Sequence, residues 1–367
     1  MRTPTIRTER GIALAVALVA LVVIGGIVAG TFFISSMEQK TAENTVEAAL
    51  AQQAAEAGIQ HTVANWQTSY HALATNASAT LARDSVAPGS YFDVTISRLG
   101  WNFFQVKSVG TRGGSTQTLA VVLRFIQANP NLGAALTGRS STSIAGNATV
   151  TGNNTNPPNW TGCAASANVA GARSNTAITR GGSAQLSGSP DSIPNDPQVT
   201  TATFQSPYTE LLSKVTLTRA GGDLRGIAFA PTTSGSPAAC NAANQNNWGE
   251  PWRQPTPGTV TQCTGYTPVV LLTASSQMDQ GRGQGVLLVN GNLTLSGPFE
   301  WTGLVIVTGT LTTSGNGAKI TGAAMAQGGY SISGTPTITY SRCAVDYVLN
   351  NTGSVRPVNG RAWNQMF

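Results

Sequence analysis

Residues 285–334 contain three related stretches, GVLLVNGNLTLSG (285–297), GLVIVTGTLTTSG (303–315) and GAAMAQGGYSISG (322–334). Each copy has an apolar run, a glycine and then an alternating strand, and successive copies begin 18 and 19 residues apart. A repeat of about 20 residues with glycine at its corners is typical of one coil of a β-solenoid, in which each strand stacks on the equivalent strand of the next coil. The repeat therefore predicts a mostly β, Gly-rich domain.

Alternation within the copies predicts which side chains point inward. Side chains two residues apart lie on the same face of a strand, so the apolar ones should form the core and small Thr and Ser side chains a polar outer wall. Two half-copies, GNATVTG (146–152) and GSAQLSG (182–188), lie upstream. A β-sandwich with regular turns is the alternative; the solenoid is favoured because three full copies are enough to stack. The residues predicted to point inward are Leu287, Val289, Leu293, Leu295, Val305, Val307 and Leu311.

Three longer strands precede the glycine-rich region. YFDVTISRL (Tyr91–Leu99), WNFFQVKSVG (Trp101–Gly110) and TQTLAVVLRFIQ (Thr116–Gln127) are rich in β-branched and aromatic residues. Gly100 and Gly113 mark the turns between them. This pattern predicts a small antiparallel β-meander.

The N-terminal segment predicts a membrane-spanning helix. Ile12–Ile34 is a run of 23 residues without a charge, and about 20 apolar residues span a bilayer as a helix. The apolar core of a signal peptide is shorter, about 7–15 residues. Arg2, Arg7 and Arg10 precede the run and should stay on the cytoplasmic side, which places the rest of the chain outside.

Helical spacing continues beyond the apolar run. Apolar residues recur every three or four positions, and the stretch is rich in alanine. One helix from Ile12 to Trp66 would be about 80 Å long at 1.5 Å per residue. A helix of this length suggests that it bundles with similar helices. The residues that carry the spacing are Val46, Leu50, Ala54, Ala57, Ile59, Val63 and Trp66.

The segments ERGIALAVALVALVVIGG (9–26) and AALAQQAAEAGIQ (48–60) resemble the N-terminus of PilX-type minor pilins. Those proteins have Arg-Gly before a hydrophobic helix and then an A-x-Q-A-A-E-A-G stretch. The resemblance implies cleavage by a prepilin peptidase between Gly11 and Ile12 and a methylation motif-like N-terminus. Val16 stands where major pilins carry glutamate, which favours an initiating, tip or accessory subunit. The C-terminal copies also resemble the later part of some PilX-like assembly proteins and, more loosely, bactofilin-type solenoids.

Four cysteines indicate two disulfides. An even cysteine count in an exported protein is typical of a disulfide framework, and three connectivities are open. Cys240–Cys263 is favoured because that loop is short, which leaves Cys163–Cys343. A metal site is not expected, since no C-x-x-C pair occurs and the two histidines, His61 and His71, lie far upstream.

The Cys240–Cys263 segment departs from the repeat and contains Trp248 and Trp252. A closed loop that displays two tryptophans is a candidate contact surface. Alternatively, both rings cap an open end of the solenoid and prevent edge pairing, and this second interpretation is slightly favoured.

The sequence gives no support for an enzyme or a cofactor. Glycoside chemistry usually needs two carboxylates close together, and no two acids occupy equivalent positions in neighbouring full copies. Asp191 and Asp196 lie in a Pro-containing loop and are interpreted as turn residues rather than a calcium site. The chain is basic, with a net charge of +6, but its cations are scattered, so nucleic acid is not favoured as a partner.

Together these patterns predict an α+β fold with a long N-terminal helix, a β-meander and a Gly-rich β domain. We expect a minor-pilin-like subunit, single-pass in the bacterial inner membrane with its C-terminal region outside, and assembled at the cell surface. Its expected partners are other pilin-like subunits, the lipid bilayer and a prepilin peptidase. The alternatives are a permanently anchored surface adhesin and, more distantly, a polysaccharide-acting enzyme. The predicted segments are a leader (1–11), a transmembrane helix (12–34), an extracytoplasmic amphipathic helix (35–75), the meander (88–128), the solenoid-like domain (131–345) and a C-terminal tail (346–367).

Overall fold

The computed structural model describes residues 10–100, 102–252, 259–358 and 363–366. The chain divides into two compact units. One consists of Met1–Phe125 with Val355–Phe367, and is called the helix–sheet unit; the other, Ile126–Ser354, is called the Gly-rich unit.

The helix–sheet unit begins with one long helix and continues as an antiparallel sheet, as predicted. Strands β3, β4 and β5 pair as two hairpins, with Ser90 opposite Arg112 and Arg112 opposite Ser115. The helix ends well before residue 75, and a short 3₁₀ turn follows it. The elements are α1 (Arg10–Ala64), the 3₁₀ turn (Thr68–Ala72), β1 (Ser78–Thr80), β2 (Asp84–Ala87), β3 (Ser90–Arg98), β4 (Phe103–Arg112) and β5 (Ser115–Ile126).

Small residues bring α1 close to the meander. Ala51 and Ala55 are fully buried against the sheet. A Cβ atom at Gly110 in β4 would collide with the carbonyl oxygen of Ala51 and lie 2.5 Å from the amide nitrogen of Ala55. Glycine at this position therefore lets the helix backbone lie directly on the strand.

An aromatic cluster closes the end of α1. The Trp66 Nε1–H donates to His71 Nε2 (3.0 Å), and the imidazole lies beside the rings of Phe104 and Phe125. The Arg98 guanidinium donates to the carbonyl oxygen of His71 (2.8 Å). Burial, with a smaller contribution from Arg98, lowers the pKa of His71 to about 4.

The Gly-rich unit is built mainly of short parallel strands, with two helices. Its helices are α2 (Thr201–Leu212) and α3 (Arg342–Thr352), and Thr261–Cys263 forms a 3₁₀ turn. Its strands are β6 (Ala134–Gly138), β7 (Thr142–Ile144), β8 (Thr149–Thr151), β9 (Ala170–Ser174), β10 (Ile178–Arg180), β11 (Gln185–Ser187), β12 (Ser192–Ile193), β13 (Leu217–Arg219), β14 (Gly222–Asp223), β15 (Thr233–Ser234), β16 (Ala239–Cys240), β17 (Val269–Leu272), β18 (Ser276–Met278), β19 (Gly281–Val289), β20 (Leu293–Leu295), β21 (Phe299–Val307), β22 (Leu311–Thr313), β23 (Asn316–Ala326), β24 (Tyr330–Ile332) and β25 (Thr335–Tyr340).

From β17 to β25, consecutive strands alternate between two parallel sheets. The first parallel sheet has the order β10-β7-β24-β22-β20-β18-β14, and the second has β11-β8-β25-β23-β21-β19-β17-β13 with β6, β9 and β12 branching from β23. The three sequence copies stack in register, with Gly285 opposite Gly303 and Gly303 opposite Gly322. Residues at equivalent positions of successive sequence copies are therefore strand-pairing partners in the structure.

The two half-copies extend the stack beyond the third full copy. Strand β8, in the first half-copy, pairs with β25, and strand β11, in the second, pairs with β8. Segments that come earlier in the chain therefore lie after the full copies in space. A Cβ at Gly146 would lie 2.8 Å from the Gly334 carbonyl oxygen, and one at Gly182 would lie 2.9 Å from that of Gly146. The glycine positions of the half-copies thus continue those of the full copies.

A column of glycines makes close strand approach possible. Gly303 has a φ of +129°, and a Cβ there would collide with the carbonyl oxygen of Gly285. Gly322 stands in the same relation to Gly303. A side chain at either position would push the stacked strands apart.

The core of this unit contains the residues that alternation predicted. All seven predicted inward residues belong to one buried cluster and are at most 1% exposed. The polar outer wall, in contrast, was wrong for the second half of each long strand. Val286, Leu288, Leu304 and Ile306 form a second buried cluster with residues of α2 and α3. The apolar runs are continuous because these strands are buried on both faces.

The chain finally returns to the helix–sheet unit. Strand β26 (Ser354–Pro357) and strand β27 (Trp363–Met366) both pair with β5. Residues 346–367, expected as a C-terminal tail, thus supply the end of α3 and two strands.

Candidate functional site

Helix α1 has two halves with different environments. Every residue from 13 to 46 is exposed, whereas Ala51, Ala54 and Ala55 are at most 1% exposed against the sheet. The exposed half carries large apolar side chains, among them Leu21 (73% exposed) and Phe32 (76%). No described element of the chain covers this half, so a different apolar partner is needed.

The exposed half is able to cross a bilayer. It is long and apolar enough by length and composition, with an 18-residue window of mean hydropathy 2.7. Two of its hydroxyl groups are satisfied within the helix, because Thr31 donates to the Val28 carbonyl (2.9 Å) and Ser36 to that of Phe33 (2.8 Å). A spanning helix requires this internal satisfaction, since lipid offers no hydrogen bonds.

Charged residues appear where the apolar run ends. Glu38, Lys40 and Glu43 are exposed, and the Gln39 amide donates to Glu43 (3.2 Å). Apolar side chains continue among them, with Met37 at 55% and Val46 at 58% exposure. The helix therefore has a segment with an apolar surface, followed by a segment in which exposed apolar and charged side chains both occur.

The predicted cleavage position lies in the first turn of this helix. Helix α1 begins at Arg10, so the peptide bond between Gly11 and Ile12 is helical. The side chains of these residues lie outside the described part of the structure. Cleavage at this bond stays a prediction.

Two disulfides join parts of the Gly-rich unit. Cys163 is bonded to Cys343 (S–S 2.01 Å) and Cys240 to Cys263 (2.02 Å). The first ties the segment between β8 and β9 to α3. Trp160 in that segment is buried and donates from Nε1 to the Pro251 carbonyl (2.7 Å).

Trp248 does not lie on a contact surface. It is fully buried and stacks on Phe229 with ring centroids 3.9 Å apart. A Cβ at Gly283 would lie 2.8 Å from both Trp248 and Trp301, so glycine in β19 leaves the space that the indole fills. The prediction that Trp248 is displayed on a contact surface was wrong. Although Trp248 lies in a polar segment of the sequence, its indole is buried among apolar side chains of the Gly-rich unit. Trp252 is half-buried.

Polar groups near the Cys240–Cys263 disulfide are held inside the protein. Glu250 is fully buried, and its Oε2 accepts from Arg282 (2.9 Å) and from the Val260 amide (3.2 Å). The Asn247 amide donates to the carbonyls of Thr232 (3.1 Å) and Asn241 (2.9 Å). These contacts fix the loop rather than expose reactive groups.

Asp196 has the structural role expected of a turn residue. Its Oδ1 accepts from the Gln198 amide (2.9 Å), and its Oδ2 accepts from Arg173 (2.6 Å). The hydrogen bond from Arg173 is the main cause that lowers the pKa of Asp196. The backbone carbonyl oxygen of Asp191 accepts hydrogen bonds from the amides of Gly171 and Ala172. Within the described ranges, no group of three or more His, Cys, Asp or Glu side chains is placed to hold a metal ion.

Helices α2 and α3 were not predicted from the sequence. A usable signal for α2 was Thr200, whose side chain forms a capping box with Thr203. For α3 the signal was Ser341, whose hydroxyl accepts from the Ala344 amide (3.2 Å).

Comparison with known proteins gives one family match. A family model described as PilX N-terminal matches residues 10–60. The crystal structure of the competence-associated pilin ComZ from Thermus thermophilus aligns with 87% of this chain and 98% of that chain, at 11% identity and a TM-score of 0.26. No curated protein matches the chain. Residues 10–60 are therefore similar to the N-terminal segment of PilX proteins, which supports a type IV pilin-like character for this part of the chain.

Proposed function

We propose that the chain is a minor-pilin-like structural or assembly subunit of a type IV pilus or a related surface system. The observation that carries the proposal is the exposed apolar half of α1, residues 13–46, which no described part of the chain covers. The match of residues 10–60 to the PilX N-terminal family supports it.

In this proposal α1 has two successive apolar environments. Before assembly, its first half lies in the inner membrane, with Arg2, Arg7 and Arg10 on the cytoplasmic side. After cleavage between Gly11 and Ile12, the same half packs against helices of other pilin-like subunits. The second half is held on the meander by Ala51, Ala54 and Ala55 and carries the rest of the chain outside.

The Gly-rich unit is the part displayed for adhesion or assembly. We interpret it as a β-solenoid, because equivalent strands of successive repeats pair in parallel and in register. The two disulfides would keep it folded outside the cytoplasm. The likeness to bactofilin-type solenoids stays a prediction.

Fractionation of cells tests the proposal. Surface fibres sheared from cells should contain this chain by mass spectrometry, and a strain that lacks the fibre-assembly ATPase should retain it in the inner membrane. A chain found only in the inner membrane of both strains would contradict the proposal and favour a permanently anchored surface adhesin.

A further inference from the structure

One outward row of the first parallel sheet has an uncharged hydroxyl or amide side chain on six of its seven strands, and the seventh strand, β14, contributes Asp223. The uncharged members come from six adjacent strands, β18, β20, β22, β24, β7 and β10, and are register partners of one another. We call them the hydroxyl row; they are Gln277, Thr294, Thr312, Ser331, Ser143 and Thr179. With neighbouring strands about 4.8 Å apart, the row is about 24 Å long.

The hydroxyl row faces away from the core. Gln277, Ser331 and Thr179 are exposed and the other members are half-exposed. The side chains on either side of Thr294, those of Leu293 and Leu295, are buried. Register pairing places the other row members on the same face as Thr294.

The row keeps its hydrogen-bonding groups free. In the part of the chain that the structure describes, none of its six side chains makes a hydrogen bond. The flanking corner residues differ, because Asn292 accepts from the Thr310 amide (2.8 Å) and Thr308 accepts from the Gly291 amide (2.7 Å). Polar side chains at the corners thus hold the turns together, whereas those in the row are available to a ligand.

The chain covers its other sheet and leaves this row open. On the second parallel sheet, outward Leu304 and Ile306 are buried with residues of α2 and α3. Outward Gln284 and Thr302 are also buried, at 0% and 3% exposure. The hydroxyl row is a long run of outward positions without such a cover in the described residues.

The chemistry of the row selects one kind of partner. Residues 290–298, 308–316 and 327–335, which contain the central strands and their corners, include no charged residue in a chain of net charge +6. Nucleic acids and other polyanions require grouped Lys and Arg, and an apolar partner requires apolar and aromatic side chains. A small ligand requires a concave pocket. An exposed, uncharged and periodic row fits a neutral polymer that carries its own hydroxyl groups at regular intervals.

We propose that the hydroxyl row is a docking surface for a linear neutral polysaccharide, whose hydroxyl groups exchange hydrogen bonds with successive strands. This inference rests on the proposed function, in which the Gly-rich unit is displayed outside the membrane, and it names the class of ligand. Each hydrogen bond is weak, so binding depends on many strands acting together. At one end the row reaches Asp223, whose carboxylate is paired with Arg225.

Co-sedimentation with insoluble polysaccharides tests the proposal. The detergent-solubilised full chain is mixed with cellulose or chitin as neutral probes and with cross-linked polygalacturonate as an anionic one. We expect the chain to bind a neutral probe, with little change when salt is raised, because no ion pair takes part.

A variant with Thr294→Val, Thr312→Val and Ser331→Ala removes the central hydroxyls and keeps the side-chain shapes. We expect its binding to fall by about tenfold or more, since three hydrogen bonds are lost. The matched control, Thr337→Val with Thr149→Val, removes two outward hydroxyls from the second parallel sheet and should bind like the unmodified chain. Circular dichroism of both variants checks that they are folded.

Binding to neither neutral probe, binding only to the anionic probe, or an equal loss in the control would each overturn the proposal. If the triple variant is unfolded, Thr312→Lys alone is used, and it must weaken binding while its circular dichroism stays unchanged. The assay requires neither cleavage at Gly11 nor fibre assembly. A negative result would therefore reject the ligand and leave the pilin-like role to its own test.

Discussion

In the helix–sheet unit a separate helix covers the apolar face of an antiparallel meander, whereas in the Gly-rich unit residues of both parallel sheets form the main core and α2 and α3 cover only a second apolar face. Helix α1 supplies small buried residues such as Ala51 and Ala55 to the meander. In the Gly-rich unit, Leu287 and Val305 stack directly as register partners. The first arrangement needs only part of a helix and leaves the rest exposed, and the second needs glycine wherever two repeats meet.

Both units depend on glycine, but glycine allows a different kind of close backbone contact in each. Gly110 lets a helix backbone lie on a strand, and Gly303 lets one strand turn beside another at a φ of +129°. Substitutions at these two positions should therefore damage different units. Testing each in turn shows whether the units fold independently.

The largest effect is expected for Gly303→Val. Its Cβ would collide with the Gly285 carbonyl oxygen, and the backbone conformation is one that valine rarely adopts. We expect the Gly-rich unit to lose about 5 kcal/mol or more of unfolding free energy. Hydrogen–deuterium exchange of peptides from residues 285–340 measures this loss. Gly265→Ala, where a Cβ meets nothing within 4 Å, is the control and should be nearly neutral.

Removal of the Cys163–Cys343 disulfide should have the next largest effect. The double variant Cys163→Ser, Cys343→Ser releases a link across 180 residues, compared with 23 for Cys240–Cys263. Loop-closure entropy predicts a loss of about 5 kcal/mol for the long link and about 3 kcal/mol for the short one. Denaturant unfolding of the two double variants measures the difference. A larger loss at Cys240–Cys263 would show that contacts of that loop outweigh chain entropy.

Gly110→Ala tests the helix–sheet unit as Gly303→Val tests the Gly-rich unit. A methyl group there would collide with α1 at Ala51, so we expect a loss of about 3 kcal/mol in the helix–sheet unit. Exchange of peptides from residues 90–126 should rise, while that of residues 285–340 should not change. Gly114→Ala is the matched control, since its Cβ would meet nothing within 4 Å. Loss of protection in both units would contradict independent folding.

The smallest effect is a pH dependence confined to the helix–sheet unit. Because the folded pKa of His71 is lowered to about 4 and an unfolded histidine titrates near 6.5, the unfolded chain binds the extra proton between these values. Stability should be complete above about pH 6.5, fall by about 1–2 kcal/mol as the pH drops to about 4, and then level off.

Trp66 fluorescence during unfolding at several pH values measures this slope. His71→Gln cannot titrate in this range, and its pH slope should be correspondingly smaller. An unchanged slope in the variant would place the acid sensitivity at another group.

Features that repeat along the sequence were predictable from it, whereas the helices that cover the strands of the Gly-rich unit were not. The repeat with Gly285, Gly303 and Gly322 gave the inward residues, because strand alternation and register follow from local spacing. The uncharged run Ile12–Ile34 predicted the exposed half of α1 for the same reason. The class of fold, a long helix followed by mostly β structure, was confirmed.

Long-range contacts account for the differences. Trp248 lies in a polar segment, and its burial depends on space left by Gly283, 35 residues later in the chain. Helix α2 packs against strands that follow it by more than 50 residues. The sequence of the helix does not indicate which strands it will cover. The spatial order of the half-copies is also non-local, because β8 pairs with β25 from the far end of the unit.

The central claim is that the exposed half of α1 belongs to a processed, pilin-like helix. Intact mass and N-terminal sequence of the chain from membranes of cells with and without the prepilin peptidase test it most directly. We expect a chain that begins at Ile12 only when the peptidase is present. A chain that keeps Met1–Gly11 in both strains would contradict it and identify α1 as a permanent anchor.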